Sequence, residues 1–236
     1  MEAGAGMSRR TKILIALAVG LAILLIGVAV SVRLGDTTRD EIAAKLETDP
    51  TSREWVAALR TYYPNEYRDL IDRVGAASLA GLDARLRAQQ SFMDDFLARR
   101  IDAIVSVPDA QLLEIASAKA EALRRDRDCN PTAVTPGDRW TAPAIAQSRV
   151  TALEIAAAHA GEASGRRPRR RWSPADYEAL RARMEAADPE LTRATLATPE
   201  LECRYDLLKY QAMTELPPAL GAVIVAEFIR VVDAAR

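Results

Sequence analysis

The sequence predicts an all-α fold, an irregular multi-helix domain behind a single N-terminal transmembrane helix, and three observations carry that reading. Residues 13–32 are twenty uncharged, mostly apolar residues that follow Arg9, Arg10 and Lys12. Beyond them, apolar side chains recur at three- and four-residue intervals in one segment after another. Ser173-Pro174-Ala175-Asp176 and Thr198-Pro199-Glu200 place a cap residue and a proline where helices begin.

At about 1.5 Å per helical residue the 13–32 run reaches roughly 30 Å, the thickness of a bilayer's hydrocarbon core. A cleaved signal peptide is the competing reading, because Met7 would give a compact basic lead and Ala29-Val30-Ser31 has the small-x-small form of a cleavage site. The apolar run is longer than such peptides use, which favours a retained anchor. Residues 1–12 are then a short basic tail and 33–236 the domain. Arg33, Arg39 and Lys45 balance the three basic residues before the span. Length breaks the tie: a long domain translocates largely regardless of charge, whereas a short basic tail stays in the cytoplasm. The expected location is the cell membrane, single-pass, with the domain outside the cytoplasm. Ala16, Gly20, Gly27 and Ser31 share a helical face that would let two spans approach, although small residues are common in spans generally. A homo-oligomer fits this face without being required by it.

The whole chain carries a net charge of −1, and the tail holds three basic residues against Glu2, leaving about −3 for the domain. That balance argues against a nucleic-acid binder and against an acidic, solvating chain. Arginine outnumbers lysine 28 to 4, but it is spread along the chain and reads as compositional bias. Aromatic residues make up 5% of the sequence, so the core must be thin and built by close packing of alanine-rich helices.

In chain order, Asp36 to Glu47 reads as a polar helix broken at Thr48-Asp49-Pro50. Trp55, Leu59 and Tyr62 follow at helical spacing, and Pro64 ends that helix and starts the next, whose face is Tyr67, Leu70, Ile71 and Val74. From Leu79 through Leu82, Leu86, Met93, Phe96 and Leu97 to Ile104 the intervals fit one amphipathic helix of about 28 residues, with Gly75 and Gly81 blurring its start. Val107-Pro108-Asp109 connects to a helix ending near Arg125. Residues 126–142 and 161–173 are the two long loops, on either side of a helix from Pro143 to Ala160. The last helix, Ala219 to Val232, is apolar nearly all round and is the expected centre of the core. About six to eight helices result.

Few constellations carry chemistry. His159 is the only histidine, which removes most metal sites, and its place near a helix end suits an imidazolium at the negative pole of a dipole. Asp126, Asp128 and Asn130 copy the start of a calcium loop, but Pro131 and Gly137 stand where the turn glycine and bidentate glutamate belong. Asp94-Asp95 reads as a solvated face. No catalytic, metal or cofactor site is expected, and no cofactor is implied. The feature with a functional reading is the arginine-rich connection: Arg166, Arg167, Arg169, Arg170 and Arg171 with Trp172, a candidate contact for an anionic surface or partner protein. Read otherwise, it is a solvated linker whose arginines contribute little to stability. Cys129 and Cys203, the only cysteines, can form a disulfide in an oxidising compartment or stay as buried thiols. The function implied is a membrane-anchored interaction or scaffold domain. The alternatives are a carboxylate-based enzyme acting on an extracytoplasmic polymer and a cleaved, secreted helical protein.

Overall fold

The computed structural model describes residues 39–78, 80–126, 129, 141–165 and 168–234. The chain divides into two units, Met1–Ala44 and Lys45–Arg236. Of the first, only the helical residues 39–44 are described, so the tail and the expected span at 13–32 lie outside the described residues. Among the described residues there are eleven helices and no strand, and no helix is long and apolar enough to cross a membrane.

The first helix, α1, covers 39–48 and stops at Asp49 and Pro50. Arg53–Tyr62 form α2 and Pro64–Ser78 form α3, whose buried Leu70, Ile71 and Val74 are the expected face. Trp55 and Leu59 are buried as their spacing predicts, but Tyr62 is 39% exposed and its neighbour Tyr63 is buried instead. The cause is local, since α2 ends at Tyr62 and the non-helical Tyr63 turns inward.

The single helix of about 28 residues expected to reach Ile104 is divided among three helices. The Ala76 to Ser78 turn belongs to α3, α4 runs Leu82–Ala98, and α5 is a single turn, Ile101–Ile104. Gly81 separates the first two with φ +103°, a left-handed backbone open to glycine and costly for other residues. Arg100 leaves helical geometry at φ −118°, ψ 7° and sends its guanidinium over the rings of Phe96, at 4.1 Å, and Tyr63, at 4.5 Å. The break therefore exchanges helix continuity for a half-buried cation held against two aromatic faces.

Next come α6, Asp109–Arg124, and α7, Thr141–Ala163, longer at both ends than periodicity alone indicates. Pro174–Ala187 form α8, capped by Ser173 in a reciprocal box with Asp176, and Pro199–Glu215 form α10, capped by Thr198. Between them lies α9, Pro189–Arg193, a short helix absent from the sequence expectation although Asp188 caps it just as Ser173 caps α8. Pro218–Ala234 form α11. The count exceeds six to eight because of the α3–α5 breaks and α9.

Helix α6 is the hub, packing against α7, α10 and α11, while α2 and α5 lie on α7 and α3 on α4. Ala222 to Glu227 are consecutively buried in α11, as expected for a core helix. Two glycines make the close packing possible. A Cβ on Gly161 would lie 2.0 Å from the Ala103 carbonyl oxygen, and one on Gly221 would lie 2.3 Å from that of Met213. The backbones of α7 and α5, and of α11 and α10, therefore touch directly, which is how a core poor in aromatics stays dense. His159 is not at a helix end, since α7 continues to Ala163; its ring stacks on Tyr62 at 4.9 Å.

Candidate functional site

Residues 168–173 are a non-helical strap between α7 and α8, and its arginines diverge to three different elements. Arg169 donates from Nε to Val105 O at 3.2 Å, from Nη2 to Val107 O at 2.7 Å and from Nη1 to Asp109 Oδ1 at 2.5 Å. These carbonyls belong to the α5–α6 connection and have no helical partner, so one guanidinium satisfies the turn that aims α6. Arg170 forks onto both carboxylate oxygens of Asp176 at 2.5 and 2.9 Å. Arg171 reaches α11, where its Nη2 lies 2.5 Å from Glu227 Oε1, and Arg230 holds the other oxygen at 3.2 Å. Glu227 is 2% exposed, so the pair of arginines is what makes a carboxylate tolerable in the apolar centre. Trp172 packs edge-on against Tyr177 and Phe228 at 5.5 and 5.7 Å.

Arg169, Arg170 and Arg171 are therefore paired within the fold, unlike the arginines of a solvated linker, and Trp172 packs on rings of α8 and α11. Arg166 and Arg167 lie outside the described residues. Replacing Arg169 by Gln should cost about 2 kcal/mol, because the lost bonds are charge-assisted and the carbonyls left behind are largely shielded. Lys at this position should recover only part, lacking the fork. Urea unfolding of the three proteins measures this, and equal midpoints would show the strap to be dispensable.

The Arg170 fork, helped by the Ser173 backbone N–H, holds the Asp176 carboxyl well below the usual carboxylate range against the opposing effect of burial. A depressed folded-state value means the contribution is complete above the ordinary carboxylate pKa, about 3.9, and is lost as pH falls through the depressed one. Asp176→Asn should therefore melt below the parent at neutral pH, with the gap closing in strong acid; a gap constant across pH would contradict this.

Cys129 and Cys203 are joined as a disulfide with Cα atoms 5.0 Å apart, tying a residue five positions beyond the end of α6 to the first turns of α10. Glu66, Arg100, Glu162 and Tyr63 form a second polar knot. Arg100 Nη2 lies 2.6 Å from Glu66 and its Nε faces Glu162 at 3.4 Å, while the Tyr63 hydroxyl donates to Glu162 at 2.9 Å. Burial first, then this carboxylate, pushes the Tyr63 phenol well up. Tyr67, which donates to Glu47 at 2.7 Å, is pushed up to about 12 by burial and then by that bond. Spectroscopic titration should find both phenols still protonated at pH 10, the ordinary phenol value. The contribution of Tyr67 is complete below pH 10 and is lost as pH rises through about 12, and that of Tyr63 is lost at still higher pH.

The described residues line at least two surface clefts. One, of about 270 Å³, is lined by Glu54, Glu114, Glu121, Arg124, Arg125 and Arg149, its charges balanced among themselves. Arg124 and then Arg125 hold Glu121 below the usual range, the wrong direction for a general acid. The other, of about 390 Å³, lies between α2, α4, α6 and α7. Its floor is an ion pair, Lys119 Nζ to Glu154 Oε1 at 2.8 Å. Sequence reasoning missed it; the only local signal is a charged residue set among apolar ones, as Glu154 is in Leu153-Glu154-Ile155. Among the described residues no group of His, Cys, Asp and Glu is arranged to hold a metal ion. No family model, no curated protein and no solved structure matches this chain.

Proposed function

We propose that the chain is a single-span membrane protein presenting its helical domain outside the cytoplasm as an interaction scaffold. The uncharged run 13–32 behind a basic tail carries this reading. The extensively packed helical domain supports it, since stability is invested in inter-helix contacts rather than in a metal or catalytic cluster among the described residues. A disulfide between the only two cysteines suits an oxidising compartment. The outward edges of Arg170 and Arg171, 55% and 68% exposed, extend the candidate anion or partner contact beyond their internal pairs. The described carboxylates with displaced pKa values, Glu121, Asp176 and Glu185, all move down, which favours ion pairing over acid–base work.

Alkaline carbonate washing of membranes tests the anchor. The protein should remain in the pellet with its N-terminal segment intact. Release of a mature chain beginning near Val32 would establish the secreted alternative instead. Crosslinking in intact cells, followed by identification of captured proteins, then tests the scaffold role.

A further inference from the structure

We propose that the cleft between α2, α4, α6 and α7 binds a neutral, hydroxyl-rich ligand of mono- to disaccharide size. Its volume of about 390 Å³ falls in the range of small-molecule sites, roughly 300–1,000 Å³. The lining divides by chemistry. Trp55, Met93 and Leu97 form an apolar wall, and Leu86, half-exposed, forms the lip on α4. Gln89 and Gln90 from α4 and Gln147 and Thr151 from α7 complete the polar part of the lining. Asp94 and the buried Glu154 add acceptors, with Lys119 already bonded to Glu154.

That inventory selects its ligand. Two carboxylates against one ammonium repel an anion. Carboxylates only accept, so the ligand must bring donors, and the glutamines answer with both donors and acceptors. A wholly apolar ligand would cover the ion pair and the amides without replacing their water, a penalty of the kind that makes sites built for hydrogen bonding reject analogues lacking hydroxyls. A sugar ring meets all three demands: hydroxyl donors, no charge, and a C–H face for the apolar wall.

Saturation-transfer NMR on the full chain in lauryldimethylamine oxide micelles, which carry no sugar headgroup, tests this with glucose, mannose, N-acetylglucosamine, maltose and cellobiose at millimolar concentration. At least one of these should receive transfer on its ring protons, and sodium glucuronate should not. Gln90→Leu combined with Gln147→Leu should weaken the response about tenfold. Leu86→Arg, at an exposed position that tolerates substitution, should abolish it by filling the mouth, with an unchanged melting profile. No transfer to any of the five sugars, equal transfer to glucuronate, or transfer that survives Leu86→Arg each overturns the proposal.

Discussion

A chain carrying Cys129→Ala and Cys203→Ala should melt about 10 °C below the parent, because the bridge closes a loop of roughly 75 residues and such a link is worth about 4 kcal/mol in the chain-entropy treatment. The bond spans a sequence separation of 74 and contains α7, α8 and α9 within its loop. Unfolding the variant releases that segment to far more conformations than the bridged chain allows. Alanine is the proper replacement at Cys129, which is 6% exposed, since serine would bury a hydroxyl. Differential scanning calorimetry of the parent with and without reductant gives the same comparison without mutation. A melting temperature indifferent to both treatments would show that the bridge does not constrain the unfolded chain.

Phe96→Ala should cost about 4 kcal/mol. Its ring is fully buried, meets Tyr63 edge-on at 5.0 Å and stacks near Phe92 at 6.3 Å. The transfer and cavity terms for a buried phenylalanine amount to roughly 3–5 kcal/mol. Arg100 makes the loss worse, because its guanidinium sits 4.1 Å above this ring and would face a void. Phe96→Leu retains most of the volume and separates the two contributions, costing about 1.5 kcal/mol with the cation's ring face gone. Guanidinium unfolding measures both, with midpoints shifted and slopes unchanged if the native fold is kept. A loss under 1 kcal/mol for the alanine variant would mean that the α3–α4 pair can collapse around the gap.

Much of the helix order was legible because its signals are local. The caps before Pro174 and Pro199, the proline at 64 and the apolar spacing of Leu70, Ile71 and Val74 act within a turn or two of the chain. The misreadings have a common cause. Periodicity continued through Gly81 and Arg100 because intervals of three and four survive a short break, and what ends the helix at Arg100 is a pair of rings from α2's end and α4. Leu82 and Leu86 fit the same stripe as Phe96 yet stand 60% and 50% exposed.

The arginine segment shows the same division more sharply. Five basic residues within six positions read as a patch turned outward, since like charges close in sequence repel and the counter-charges are not nearby in the chain. Asp109 and Glu227, the partners of Arg169 and Arg171, lie about sixty positions away in opposite directions, and only the packing of α6 and α11 beside the strap brings them within reach. The cleft floor is a like case, with Lys119 and Glu154 on different helices. By itself the sequence determined helical class, the capped starts of α8 and α10 and the buried character of α11, because propensity, capping and apolar patterning are properties of short stretches. The tertiary structure alone decided which charges are paired, where the backbones of α5 and α7 meet at Gly161 and which side chains share a cleft, because these depend on distances between segments that local chemistry does not encode.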